Sequence, residues 1–372
     1  MTALLVFQEL FDQTSDLPPE YPEVIESAYP ILTLPPEIVA EIFLNFLPIY
    51  PECPPLLGVL SPLALCGICR PWREIVLSTP MLWRALEIEL REYEDPKALT
   101  RKLDLMDAWL LRSGNCPLSL KIHHHRAFAS FSIRPSPPSL PGFYHTIVRH
   151  RRQWEHLYLV MSFRHLSIIQ GDMPRLRHLT FGPNDVPVEE APTPDLFNHA
   201  PQLDSVILTE DFVPSAMSLP WTQFTRLEGL CLYEHECAEI LTSVLHLVHC
   251  AMTVVGTQQN ITIPVVPAHL HLQNLILHVS DMTRVEVDLS DLLSKLTLPA
   301  LRTLQLPESY MPLDPLPTLE SFISRSRCSL DELLIEDASL PEVHYREALS
   351  SIGIITLKQR LIERIAVRLP VS

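Results

Sequence analysis

A six-residue pattern, with leucine or another apolar residue at its first, fourth and sixth positions, recurs eight times between residues 154 and 335. The copies begin at Trp154, Leu176, Leu203, Leu227, Leu247, Leu272, Leu301 and Leu330. Alternating apolar residues of this kind predict a short β-strand with one buried face. Because one strand and its return segment cannot bury that face alone, the copies must stack on one another. The pattern therefore predicts a parallel sheet built from stacked layers.

Successive copies begin 20 to 29 residues apart, which is the length of leucine-rich repeats. The asparagine that usually follows the apolar pattern of such repeats occurs only as Asn184, so the repeats are irregular. We predict an irregular leucine-rich-repeat solenoid over residues 87–345, and the segment around Leu118 and Leu120 fits an earlier unit. An amphipathic pattern predicts a C-terminal capping helix over residues 346–372, because the end of a solenoid needs a cover.

Residues 33–86 carry a different pattern, in which prolines separate three short amphipathic segments. The first predicted helix holds Pro35 and Pro36 in its first turn, where a missing N–H group removes no hydrogen bond. The second and third begin at Pro62 and Pro71. Apolar residues of the first helix recur at helical spacing, at Ile38, Val39, Ile42, Phe43, Phe46 and Leu47. So short a helical unit cannot bury this whole stripe internally.

The order of these residues resembles the F-box, in the F-box-like form that is common in mushroom-forming fungi. The matching motifs are LPPEI at residues 34–38 and CRPWREIVLSTPMLW at residues 69–83. Pro71 departs from the family, which often has Arg or Lys there. The resemblance covers about 50 of the 372 residues. It implies an α/β chain with an N-terminal segment and linker (1–31), a three-helix F-box-like domain (32–86) and then the repeats.

The resemblance implies binding, with no chemistry. F-box helices dock on the Skp-type adaptor of cullin-RING ubiquitin ligases, and large apolar anchors are where interface energy concentrates. Carried over position by position, the residues that would contact the adaptor are Leu34, Pro35, Ile38, Ile42, Leu65, Cys69, Trp72 and Ile75. The alternative is that the same residues form the core of an independent three-helix domain.

The repeats resemble the substrate-binding part of F-box proteins with leucine-rich repeats. Residues that alternate with the buried leucines would face outwards and contact a protein target. They are Tyr158, His178, Thr180, Ser205, Thr209, Tyr233, Asn274, His278, Gln305, Glu332 and Glu336. Neutral polar groups with two tyrosines suit protein recognition. The alternative is an ordinary solvated sheet face.

Composition argues against several other classes of protein. A formal net charge of −16 argues against binding nucleic acid. The longest apolar run is shorter than the roughly 20 residues that span a bilayer, and the first residues lack a basic segment of the kind that signal peptides carry. Eight cysteines scattered through hydrophobic patterns indicate buried free thiols. We therefore expect a cytoplasmic or nuclear protein that does not contact membranes.

Patterns that would indicate catalysis or metal binding are weak. His123, His124 and His125 are consecutive, so on a strand they alternate between faces. Cys66 and Cys69 have the spacing of a redox pair but lie in a helical pattern. Neither a phosphate-binding glycine loop nor a serine-nucleophile motif occurs. We expect no catalytic residue, no cofactor and no metal.

These observations predict the substrate-recognition subunit of a Skp-cullin-F-box ubiquitin ligase, which accelerates ubiquitin transfer by proximity alone. Its partners would be the Skp-type adaptor, through it a cullin-RING ligase, and a protein target. The alternative is a non-ligase interaction scaffold that retains an F-box fold. A hydrolase or redox protein with coincidental motifs has less support.

Overall fold

The computed structural model describes residues 30–91, 95–125, 140–183, 185, 196–209, 212–256, 261–280, 287–312 and 314–358. The described residues fall into two compact units. Unit 1 lies within Met1–Asp211 and Ser215–Pro220, and unit 2 lies within Phe212–Pro214 and Trp221–Ser372. Both units are mixed α/β, with parallel strands connected by helices, turns and loops.

Unit 1 opens with three short helices, which are α1 (Pro36–Phe46), α2 (Pro62–Cys66) and α3 (Arg70–Ser78). Each has a proline in its first turn, where helices tolerate that residue. Ser61 Oγ accepts a hydrogen bond from the Leu63 N–H at 3.2 Å and so caps α2. Three helices therefore begin at the prolines that predict their first turns.

Five parallel strands of unit 1 follow in chain order, which are β1 (Ala85–Arg91), β2 (Leu118–His125), β3 (Trp154–Met161), β4 (His178–Pro183) and β5 (Ser205–Leu208). Helix α4 (Pro96–Arg112) follows β1, and α5 (Leu140–Val148) follows β2. One row of paired, buried side chains crosses the sheet through Leu86, Leu120, Leu157, Leu179 and Val206. Burying such a side chain contributes roughly 1.5–3 kcal/mol.

Unit 2 has six parallel strands, which are β6 (Arg226–Tyr233), β7 (His249–Val255), β8 (Asn274–Val279), β9 (Thr303–Pro307), β10 (Glu332–Glu336) and β11 (Ile354–Lys358). Its helices are α6 (Glu234–Ser243), α7 (Leu289–Lys295), α8 (Pro315–Ser326) and α9 (Glu342–Ala348). A buried row again crosses the strands, through Leu227, Cys250, Leu275, Leu304, Leu333 and Ile355.

Each of the eight copies of the apolar pattern overlaps one strand, from β3 to β10. The predicted α/β class with parallel strands is therefore confirmed. Strand β2 contains Leu118 and Leu120, where an earlier unit was a reasonable prediction. Strand β1 begins at Ala85, inside the segment assigned to the F-box-like domain, so the boundary of that domain overlaps the first strand.

The C-terminal segment differs from the prediction of a capping helix over residues 346–372. A short helix, α9, ends at Ala348, and the chain then forms strand β11, which pairs with β10. Gly353 interrupts the helical pattern, and the β-branched residues Ile354, Ile355 and Thr356 favour an extended backbone. Residues 359–372 of the predicted helix, and residues 1–29 of the predicted N-terminal segment, lie outside the described residues.

Candidate functional site

Helix α1 has two apolar faces instead of one. Val39 and Phe43 are 2% and 1% exposed, whereas Ile38, Ile42 and Phe46 are 50%, 41% and 46% exposed. Residues four apart lie on one side of a helix, so each set forms its own stripe. The outer apolar stripe, defined as Leu34, Ile38, Ile42 and Phe46, is open to solvent. Val39 and Phe43, the inner residues, are buried in the core of the three helices.

Contacts among the three helices show which face of α1 packs inwards. The Phe43 ring lies 4.7 Å from the Trp72 ring, centroid to centroid. Trp83 is fully buried and donates a hydrogen bond from Nε1 to the Val76 carbonyl at 2.8 Å. Arg73 Nε donates to the Cys66 carbonyl at 3.0 Å, which ties α3 to the end of α2. The three helices therefore have a core that does not use the outer apolar stripe.

A groove lies between the start of α1 and helix α3. It has a volume of about 350 Å³ and is lined by Ile31, Leu34, Pro36, Val39, Pro71, Trp72, Glu74, Ile75 and Ser78. Leu34 is 39% exposed, and Trp72 and Ile75 are partly exposed. The groove thus joins the first residue of the outer apolar stripe to the tryptophan-bearing helix.

Seven of the eight residues predicted to contact the adaptor keep some exposure. Leu34, Pro35, Ile38 and Ile42 are exposed, and Cys69, Trp72 and Ile75 are half-buried. Leu65 is different, because it is 4% exposed and belongs to the helical core. Helical spacing places Leu65 on an apolar face but does not say which way that face points, and in this structure the face points inwards.

Other exposed apolar residues of this region went unpredicted. Ile49 and Val59 are each 75% exposed, and Leu57, Leu60 and Ile68 are between 47% and 58% exposed. They lie in the proline-rich segment between α1 and α2 or next to α3. The signal was present in the sequence as the run PPLLGVL, which is too apolar for an ordinary surface loop.

The residues predicted to contact a target lie on the strands, or directly after them, at positions that alternate with the buried rows. In unit 1, Tyr158 and Thr180 are adjacent on β3 and β4, and His178 pairs with Ser205. Thr209 follows β5, and its N–H donates to the Phe181 carbonyl at 3.0 Å. All five are half-buried or exposed.

Unit 2 holds the other six, which are Tyr233, Asn274, His278, Gln305, Glu332 and Glu336. Two of them, Gln305 on β9 and His278 on β8, contact Glu336 on β10. Gln305 Nε2 donates to Glu336 Oε1 at 2.9 Å, and His278 Nδ1 lies 3.6 Å from Glu336 Oε2. The prediction therefore grouped residues that the structure divides between two units.

The segment that follows α1 forms a wall against the sheet of unit 1. Tyr50 Oη donates to Glu155 Oε2 at 2.6 Å, and Ser119 Oγ donates to the Pro51 carbonyl at 2.5 Å. The Glu87 N–H donates to the Pro54 carbonyl at 2.8 Å. Burial, and then the Glu155 carboxylate, raises the pKa of the Tyr50 hydroxyl. Tyr50 thus stays protonated as a donor at neutral pH.

A cavity of about 400 Å³ lies between this wall and strands β2 to β4. Its lining residues are Pro51, Glu52, Cys53, Ser119, Leu120, Lys121, His156, Leu157, Tyr158, His178 and Thr180. The His156 and His178 rings stack with centroids 4.6 Å apart and planes 14° apart. Burial, and then the neighbouring His178, lowers the pKa of His156. His156, which no sequence pattern indicated, therefore lines the same cavity as Tyr158, His178 and Thr180.

The cysteines are free thiols, and burial raises the pKa of several of them. All eight cysteines are free, and burial raises the pKa of Cys66 to about 11 and that of Cys250 to about 12. Such thiols are poor nucleophiles at neutral pH. Among the described residues, no three His, Cys, Asp or Glu side chains are placed to hold a metal ion. Within the same residues, no helix has the length and apolar character needed to cross a membrane.

Comparison with known proteins finds no family model and no curated protein that matches this sequence.

Proposed function

We propose that this protein is the substrate-recognition subunit of a Skp-cullin-F-box ubiquitin ligase. In this proposal the helices α1 to α3 bind a Skp-type adaptor, and the strands bind a protein target. The observation that carries the proposal is the outer apolar stripe, whose four residues are between 39% and 50% exposed. Both motifs that resemble the F-box, at residues 34–38 and 69–83, line one groove, the first through Leu34 and Pro36 and the second through Trp72 and Ile75.

Energetics favour a protein partner for this surface. Exposed apolar side chains that are contiguous usually mark an interaction site. Full burial of an Ile, Leu or Phe side chain is worth roughly 1.5–3 kcal/mol, and part of that gain is offset by lost freedom on association. Four such residues, together with Trp72 beside the groove, provide the small set of apolar anchors that dominates typical interfaces.

The contacts of the Tyr50–Pro54 segment support a second part of the proposal. They link the end of α1 to strands β1, β2 and β3 within unit 1. A target held on these strands would therefore keep a fixed position relative to an adaptor held on α1. A ligase receptor accelerates transfer by holding its target near the transferred ubiquitin, so this rigidity suits the role. No catalytic residue is required, and we propose none.

Assembly of the complex tests the proposal. The full-length chain is co-purified with a Skp-type adaptor and the N-terminal domain of a cullin, and the mass is measured by light scattering during size exclusion. We expect a complex with one copy of each chain. If a folded chain elutes alone at micromolar concentrations of all three proteins, the ligase role fails and the non-ligase scaffold becomes the better account.

A further inference from the structure

The cavity in unit 1 is built from two distant parts of the chain. Its wall comes from Pro51, Glu52 and Cys53, and its floor comes from strands β2 to β4. A volume of about 400 Å³ lies within the range of ligand pockets, roughly 300–1,000 Å³. The cavity is therefore large enough to receive side chains of a bound peptide.

Hydrogen-bond donors outnumber carboxylates in the cavity. Lys121, His156, His178 and Thr180 can each donate from the side chain. Glu52 is the only carboxylate among the described lining residues, and it is exposed. Ser119 is already engaged, because its hydroxyl donates to the Pro51 carbonyl. A surplus of donors favours a ligand that supplies acceptor atoms.

Lys121 supplies the positive charge of the cavity. Its Nζ lies 2.6 Å from Glu87 Oε1 and 5.7 Å from the centre of the Tyr158 ring. The Lys121 side chain is 44% exposed and that of Glu87 is 26% exposed, so solvent reaches the ammonium and partly screens the pair. An ammonium group has three donors, so Lys121 can donate to a second carboxylate without leaving Glu87.

We propose that this cavity anchors the target through a carboxylate. Lys121 binds the carboxylate of an aspartate or glutamate in an extended peptide segment, and the stacked rings of His156 and His178 line the same pocket. The inference deepens the proposed function, and it rests on the strands being the target-binding surface. It assigns to the target an acidic side chain that reaches beneath the Tyr50–Pro54 segment.

Peptide pools test the proposal without knowledge of the target. The full-length protein is titrated into labelled short peptides with random flanks and one fixed central residue, which is Asp, Glu, Asn, Gln, Lys or phosphoserine. We expect pools with Asp or Glu to bind about tenfold more tightly than pools with Asn or Gln, as a charge-assisted hydrogen bond would give. A stronger preference for phosphoserine than for Asp or Glu would overturn the carboxylate and assign a phosphoryl group to the cavity instead.

Two variants with opposite expected effects decide the role of Lys121. Lys121→Gln removes the ammonium and should abolish the preference for acidic pools. Glu87→Gln removes the competing carboxylate and should strengthen binding to acidic pools severalfold. The matched control is Lys97→Gln, which makes the same charge change at an exposed position on α4 and should leave the preference unchanged.

The outcomes separate this proposal from the function on which it rests. A wild-type protein without preference for acidic pools, or an unchanged preference in Lys121→Gln, would overturn the carboxylate anchor. Adaptor binding is measured for the same variants and should be unaffected by all three. If the wild type prefers acidic peptides but does not bind the adaptor, the ligase role alone is overturned.

Discussion

The helical region (residues 30–83) and the strands differ in how completely they bury their apolar side chains. In the strands, the apolar side chain of each layer is covered by the next, as in the row from Leu227 to Ile355. In the helical region, only one face of α1 is covered. Ten of the nineteen exposed large apolar side chains among the described residues lie between Leu34 and Met81.

This difference is the reason for placing the proposed adaptor on the helical region. A stack of strands buries its apolar face through repetition, so its stability does not depend on another protein. Three short helices have too little interior to cover two faces of α1, and the outer apolar stripe remains in water. An exposed stripe of this kind is maintained at a cost to solubility, which is typical of an interface.

The largest expected effect contrasts adjacent residues on the two faces of α1. Phe43→Ala removes a buried ring that contacts Trp72 and should lower the free energy of unfolding by about 3–5 kcal/mol. Ile42→Ala should change it by about 0.5 kcal/mol or less, because Ile42 is 41% exposed. Urea unfolding measures both. Similar losses for the two variants would mean that α1 has no partner-facing side.

A smaller effect is expected from a buried carboxylate of unit 2. Glu308 is 5% exposed and accepts hydrogen bonds from the Ser339 N–H at 3.0 Å and from the Tyr345 hydroxyl. Glu308→Ala should cost about 1–3 kcal/mol, because these donors lose their acceptor in a buried site. Glu320→Ala, at an exposed position on α8, is the control in the same unfolding experiment. Equal stability of the two variants would show that the strand connections do not depend on this carboxylate.

The stability that the Tyr50–Glu155 hydrogen bond contributes should be lost at alkaline pH. Folding raises the pKa of Tyr50, through burial and then through Glu155. Stability from such a group is complete below its unfolded pKa of about 10 and is lost as the pH rises above that value. Tyr50→Phe should cost about 1 kcal/mol at neutral pH and should flatten the decline in stability above pH 10. Parallel declines for variant and wild type would contradict this account.

The smallest effect should come from an exposed ion pair at the start of strands β9 and β10. Arg302 Nη1 lies 3.0 Å from Asp331 Oδ2, and both side chains are more than 60% exposed. Arg302→Gln should change the free energy of unfolding by about 1 kcal/mol or less. A larger loss would show that outward charges, as well as the buried rows, stabilise the strands.

Strand positions were predictable because the buried rows impose a period of two on the sequence, and leucines of the pattern occupy those rows. For α1, the sequence predicted which residues are apolar helix positions but not which of them are exposed. Spacing identified Ile38 and Ile42 as apolar helix positions, but it could not separate them from Phe43, which packs inwards. The burial of Leu65 was unpredictable for the same reason, since the direction of a helix face depends on tertiary contacts.

The cavity was beyond prediction because its parts are far apart in the chain. Tyr50 and Glu155, which join the wall to the sheet, are separated by 105 residues. Nothing in the local pattern around Pro51 or His156 indicates that they meet. Strand β11 was missed because Leu357 and Leu361 fit helical spacing, although Gly353 and the β-branched residues 354–356 favour the extended backbone that pairs with β10.

Calorimetric titration of the full-length chain with a purified Skp-type adaptor tests the central claim most directly. The variant Ile38→Asp, Ile42→Asp places two charges in the outer apolar stripe, and Leu111→Asp is the control, at a residue 61% exposed on α4. We predict submicromolar binding by the wild type and by Leu111→Asp. The double variant should bind at least about 100-fold more weakly, with an unchanged unfolding midpoint. Equal binding by the double variant, or no binding by a folded wild type, would contradict the account.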